Sequence, residues 1–143
     1  MKDIISDINL WFDNEESIAL ATVIETWGSA PRQPGAKMGI TASGKIAGSV
    51  SGGCVETEVI EIGLEVLRTG QPQLLNFGIE DETAWGVGLA CGGTIDVFVQ
   101  PMNMMIMDAI HGLNGRTHAT ITIVCGPIDW LGKQMLFISN EKT

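Results

Sequence analysis

A chain of 143 residues, 45% of them hydrophobic, is long and apolar enough to build a core without cross-links. Its formal net charge of −9, from 17 acids against 8 lysines and arginines, excludes the broad basic field of a nucleic-acid binder, so an anion must be held by local amides and a few cations. Three cysteines, Cys54, Cys91 and Cys125, odd in number and far apart, exclude a disulfide scaffold and fit reduced thiols in a cytoplasmic protein.

Residues 3–16 predict a short helix, with Ile4, Ile5, Ile8, Leu10, Trp11 and Phe12 making an apolar face beside acids. The acidic start has no apolar signal core, and no run approaches the roughly 20 apolar residues that span a bilayer, so neither export nor a membrane is expected. Ile18–Trp27 reads as a buried strand, followed by a glycine-proline loop, Gly28–Gly35. Ala36–Thr41 and Lys45–Ser49 form a hairpin across Ala42, Ser43 and Gly44. Cys54–Thr69 has helical periodicity, with Val55, Val59, Ile62, Val66 and Leu67 inward, Glu56, Glu58, Glu61 and Glu65 mostly outward, and Gly70 as the stop. Leu74–Ile79 is a strand, 80–93 an acidic and then glycine-rich loop, and Thr94–Gln100 a strand closed by Pro101. A Met-rich helix over Met102–Leu113 and strands at Thr117–Cys125 and Lys133–Ser139 complete the order. The pattern predicts a single α+β domain: a mixed β-sheet with flanking helices. Residues 1–115 form the binding domain. Residues 116–143 form a C-terminal β-hairpin, either the start of a second lobe or strands exchanged in a homodimer. A faint repeat supports that choice: Ala21–Ile24, Gly28 and Gly35–Met38 are echoed by Ala119–Thr122, Gly126 and Gly132–Met135. An unfinished edge of this kind favours pairing with a second copy.

The 18 glycines, against a usual share of about 7%, cluster in three places. In Gly48-Ser-Val-Ser-Gly-Gly-Cys-Val-Glu56, a glycine turn feeds a helix. Its N–H groups and the positive helix end make an anion site, Ser49 and Ser51 add hydroxyl donors, and Cys54 sits where a thiolate is stabilised. The alternative is a tight turn holding a small buried cysteine. Gly28-Ser-Ala-Pro-Arg-Gln-Pro-Gly-Ala-Lys-Met38 is stiffened by two prolines. Arg32 offers a planar fork for phosphate or carboxylate and Lys37 a point charge, or both are solvated surface charges. Trp85-Gly-Val-Gly-Leu-Ala-Cys-Gly-Gly93 presents Cys91 ahead of Gly92 and Gly93, after the acids Glu80, Asp81 and Glu82; Trp85 either packs in the core or caps a flat ligand.

Two patterns mislead. Gly39–Lys45 matches the front of a nucleotide P-loop, but Ile46 stands where the magnesium hydroxyl belongs, and the segment lies in a hairpin. Gly86 and Gly88 are not a dinucleotide fingerprint, because Cys91 takes the third glycine position. His111 and His118 have no metal-ligand spacing with the cysteines.

Taken in order, GSAPRQPGAKM, GSVSGGCVE and GLACGGTIDVFVQP closely resemble the N-terminal domain of the XdhC/CoxI family, the xanthine dehydrogenase accessory proteins, from about Ala21 to Pro101. The resemblance implies a chaperone rather than an enzyme. It would bind molybdenum cofactor (molybdopterin) as cargo, protect it, and deliver it to a xanthine dehydrogenase-type molybdenum hydroxylase, with sulfuration by a cysteine desulfurase. Carried onto this sequence, it makes Cys54 and Cys91 metal ligands or sulfur-handling thiols. Gly52, Gly53, Gly92 and Gly93 shape the loops, and Arg32 and Lys37 meet the phosphate. The family commonly continues into a C-terminal Rossmann-like domain, which this sequence does not contain. Gly86 stands where an acidic residue is common, and Asp96 and Gln100 stand where glutamate is frequent, which weakens metal binding by acids there. Two other functions stay open: a sulfur-handling enzyme working through Cys54, and a scaffold that docks a desulfurase onto a hydroxylase.

Overall fold

The computed structural model describes residues 4–28, 30, 32–53, 55–78, 93–104, 106–107, 117–122 and 128–139, and of 117–122 and 135–139 the backbone alone. The chain falls into two compact units, Met1–Pro101 and Met102–Thr143.

The first unit holds helix α1 (Ile5–Asp13), strands β1 (Ile18–Trp27), β2 (Lys37–Thr41) and β3 (Ile46–Gly48), helix α2 (Glu56–Thr69), and strands β4 (Gln73–Phe77) and β5 (Thr94–Pro101). The five strands lie in the order β3-β2-β1-β5-β4. The α+β class holds, but every pairing is antiparallel, so the sheet is not mixed. Segments adjacent in the chain can pair antiparallel directly, whereas parallel neighbours need a crossover connection. The one distant pairing, β1 with β5, is antiparallel as well.

β1 is buried on both sides over Ile18–Ala21 because a helix covers each face of the sheet. Ala19, Ala21 and Val23 face α2, in one cluster with Met38, Ile40, Val59, Val66, Val97 and Val99. Ile18, Leu20 and Thr22 alternate to the other face, opposite Thr41, Gly39 and Lys37 on β2. There α1 packs: a methyl group on Gly39 would stand 2.8 Å from Ile8 Cδ1 and 3.1 Å from Trp11 Cζ3. On the α2 side the fit is mirrored, since a methyl on Gly63 would stand 2.6 Å from Ile40 Cδ1. A missing side chain on each face thus lets a helix close onto the sheet.

α2 buries Val59, Gly63 and Val66 at helical spacing and ends at Gly70, whose left-handed conformation lets its N–H reach Val66 O at 2.8 Å. At the tip of the β2–β3 hairpin, Lys45 Nζ donates to Glu16 Oε1 at 2.5 Å and Ser43 Oγ to Glu16 Oε2 at 2.8 Å. Lys45 is therefore a hairpin-tip residue tied to the α1–β1 junction, and no phosphate loop is built around it.

In the second unit β6 (Thr117–Thr122) pairs antiparallel with β7 (Gln134–Ser139), and a 3-10 turn at Ile128–Trp130 precedes β7. The described part of β6 ends at Thr122, and residues 123–125 of the expected strand lie outside the described residues. Of the Met-rich helix, Met104, Ile106 and Met107 are helical, and Asn103 Oδ1 accepts from the Ile106 N–H at 3.0 Å as a cap. Residues 108–113 of that helix lie outside the described residues. The two halves of the faint repeat are both antiparallel hairpins, yet their registers differ: Ala21 pairs with Met38, whereas Ala119 pairs with Phe137.

Candidate functional site

The described parts of the three glycine motifs lie toward one end of the five-stranded sheet. β1 runs up to Trp27, which pairs with Thr94 at the start of β5, and β4 ends at Phe77 opposite Ile95. β3 ends at Gly48 beside Met38, near the start of β2. The first and third motifs come into contact here: a methyl on Gly28 would lie 3.4 Å from Gly93 Cα. The first loop is folded back on its own strand, because the Gly35 N–H donates to Val23 O at 2.7 Å and the Val23 N–H to Ala36 O at 2.9 Å. The second loop is tied to the same place by the Ser49 N–H, which donates to Lys37 O at 3.2 Å.

The second loop already grips an anion of its own. Glu56, the first residue of α2, turns its carboxylate back into the loop. Oε1 accepts from Ser49 Oγ at 2.6 Å, the Ser51 N–H at 3.0 Å and the Val50 N–H at 3.2 Å. Oε2 accepts from Ser51 Oγ at 2.5 Å and the Gly53 N–H at 2.8 Å. The two hydroxyls pass the pattern on, Ser49 Oγ accepting from the Gly52 N–H at 2.8 Å and Ser51 Oγ from the Val55 N–H at 3.0 Å. Among the described residues, each amide from Ser49 to Val55 thus has an internal acceptor. The sequence suggested amides waiting for a ligand; the structure puts them on Glu56.

Partial burial pushes the Glu56 carboxyl up, but the hydroxyls of Ser49 and Ser51 and the Ser51 amide outweigh it and hold the group down at about 2. It is ionised at neutral pH, at the helix end where negative charge is favoured. Helical periodicity alone had placed Glu56 on the solvent side. The available signal was its spacing three residues after Gly53, the reach-back distance of a capping box.

Lys37 is the other charged group of interest. It lies on the α1 face of the sheet, opposite the face that receives α2, and is half-buried. Its Nζ donates to Thr22 Oγ1 at 3.1 Å, and burial pulls its pKa down from the ordinary lysine value. No ion pair joins it to a carboxylate among the described residues. Arg32 is exposed in the first loop. Ser51 is buried, Ser49 is half-buried, and Gly52 and Gly53 are exposed; Gly93 is buried beside Gly28. Cys54, Cys91 and Gly92 lie outside the described residues, as do Glu80, Asp81, Glu82, Trp85, Gly86, His111 and Cys125. Among the described residues no cluster of three His, Cys, Asp or Glu side chains could hold a metal.

Over residues 11–78 this chain matches the model of the XdhC and CoxI family. It is 35% identical over 98 residues to YqeB, an uncharacterised protein of Escherichia coli K12, covering 68% of this chain and 16% of that one. To a protein of Bacillus subtilis 168 named as a probable subunit of xanthine dehydrogenase it is 35% identical over 92 residues, 62% of this chain and 27% of the relative. To PaoD of E. coli K12, a molybdenum cofactor insertion chaperone, it is 37% identical over 76 residues, 53% of this chain and 24% of PaoD. The chain spans less than a third of each of these curated relatives. A crystal structure titled as a xanthine dehydrogenase from Bacillus halodurans has the same fold, with a TM-score of 0.73 at 22% identity over 96% of this chain and 42% of that one. Among the described residues no helix is long and apolar enough to cross a membrane.

Proposed function

We propose that this chain is a molybdenum-cofactor accessory domain, a chaperone that holds the anionic pterin as cargo at the loop end of its sheet and passes it to a xanthine dehydrogenase-type hydroxylase. The observation that carries this is the placement of the three family motifs toward one end of the sheet, in two pairwise contacts, Gly28 against Gly93 and Ser49 against Lys37. The names of two relatives, one a cofactor insertion chaperone and the other part of a dehydrogenase, support it.

Each residue has a part. Because the amides of the second loop are taken by Glu56, the cargo's phosphate is met by side chains: Lys37, whose half-buried ammonium has spare donors, and Arg32, whose exposed fork suits a phosphate. Ser49, Ser51, Gly52 and Gly53 shape the second loop, and Gly92 and Gly93 the third. Cys54, next after Gly53, and Cys91, just ahead of Gly92, serve as soft ligands for molybdenum or carriers of its sulfur. A cysteine desulfurase as sulfur source, a homodimer and a cytoplasmic setting complete the proposal.

The test is calorimetric titration of the purified chain with molybdopterin. Saturable binding at one site per chain is expected, weakened at least tenfold in a Cys54→Ala, Cys91→Ala double variant. No binding by the intact chain would overturn the proposal, and catalytic turnover of a sulfur donor by the chain alone would replace it with the thiol-enzyme function.

A further inference from the structure

We propose that Glu56 is the positioning residue of this site: a built-in carboxylate that fills the amide nest of the second loop and fixes the path of the chain from Ser49 to Gly53, the residues that precede Cys54 in the sequence. The geometry supports this beyond ordinary helix capping. A capping box satisfies two orphan amides. Here one carboxylate takes three amides and two hydroxyls directly, and through those hydroxyls two further amides. The glycine and serine residues of the loop, which alone would leave it conformationally free, are thereby referred to a single side chain. Val50 and Val55, at either end of the network, are anchored in the α2 core, so the loop is held from below by packing and from within by the carboxylate. Cys54 lies in the chain between Gly53 and Val55, whose N–H groups both belong to this network.

Two consequences follow. The nest selects against external anions, since its donors already have a tethered resident. Removing the resident turns the nest into a vacant receptor for a small carboxylate. Formate has the same acceptor geometry as the Glu56 head group and none of its chain, and it serves as the probe.

The experiment uses the full chain with Glu56→Ala, Glu56→Gln and Ser51→Ala. Alkylation of Cys54 by iodoacetamide at one fixed pH is followed by peptide mass mapping. Alkylation in Glu56→Ala is expected to be about fivefold faster or more, because an unanchored loop opens more often. Formate at about 0.1 M should return it toward the wild-type rate, whereas chloride at equal ionic strength, a comparison that removes simple screening, should not. Ser51→Ala, which keeps the carboxylate and loses one hydroxyl, should show a smaller increase that formate leaves unchanged. Glu56→Gln keeps the side-chain shape and decides the matter if the alanine variant does not fold. Its amide group turns a donor toward the loop's donors, so its Cys54 should also react faster. Wild-type rates in Glu56→Gln, or formate acting no more strongly than chloride on a folded Glu56→Ala, would overturn the proposal. These readouts need no pterin. A chain that passes them and binds no molybdopterin loses the chaperone function and keeps Glu56 in this role, and the reverse outcome separates the two equally well.

Discussion

Lys37 on β2 and Thr22 on β1 are cross-strand partners, and the lysine Nζ donates to the threonine Oγ1 at 3.1 Å, with no carboxylate paired to it among the described residues. Half-burial of an ammonium on a single hydroxyl is unfavourable for the charge, and the lowered pKa has that cause. On the proposed function, the charge at Lys37 serves binding rather than stability. Lys37→Met keeps the length of the stem and removes the charge. We expect unchanged or slightly higher thermal stability, together with a loss of molybdopterin affinity of about tenfold or more, the usual scale for a charged hydrogen bond of roughly 1.5–3 kcal/mol. Thermal melts and calorimetry on one preparation check both. A variant that loses stability and keeps affinity would make Lys37 a structural residue.

How far the sequence carries depends on whether a feature is local. β1 is read correctly at both ends because its apolar residues begin at Ile18 and the segment stops at Gly28. α2 is read well because Val59 and Val66 repeat with helical spacing and Gly70 ends the pattern. The neighbour relations are not local. Nothing in either segment announces that β1 lies beside β5, far along the chain, and the antiparallel sheet follows from that pairing. The site divides the same way. Glycine loops and the scarce cations stand out in the sequence, but the Lys37–Thr22 contact needs the strand register. Glu56 was hidden by a competing pattern: its place in the helical period suggests solvent, while its reach back over three residues decides its contacts.

Gly48 and Gly44 give a stability contrast of the same kind. Both have positive φ, 81° and 88°. A methyl on Gly44 meets nothing within 4 Å, so Gly44→Ala should cost only the backbone strain, about 1–2 kcal/mol. A methyl on Gly48 would run into the Lys37 carbonyl oxygen and come within 2.8 Å of Ile4 Cγ2. Backbone cannot yield as a side-chain tip can, so Gly48→Ala should cost about 3 kcal/mol or more. Urea denaturation of the two variants against the wild type measures the difference. Equal losses would mean that the approach of β3 to Lys37 is looser than these contacts require.

The carboxylate of Glu56 also sets a pH dependence. Partial burial pushes its pKa up, yet the serine hydroxyls and the Ser51 amide more than offset that, and the folded value of about 2 lies below the ordinary 4.5. A depressed carboxylate stabilises the fold fully above its unfolded value, and that contribution drains away as pH falls from about 4.5 toward about 2. Since the group is only partly shielded, solvent screening reduces the full effect to about 1–2 kcal/mol. Glu16 and Glu65 are lowered too, by Lys45 and Arg68 respectively, so wild-type acid titration alone blends several groups. The difference between wild type and Glu56→Gln isolates one. We expect the variant to be less stable than wild type by about 1–2 kcal/mol at pH 7, with the gap narrowing steadily below about pH 5. Urea midpoints taken at about pH 7, 5, 4 and 3, spanning the range over which the carboxylate loses its charge, provide the check. A gap that stays constant over that range would show that the loop does not depend on the ionised form of Glu56.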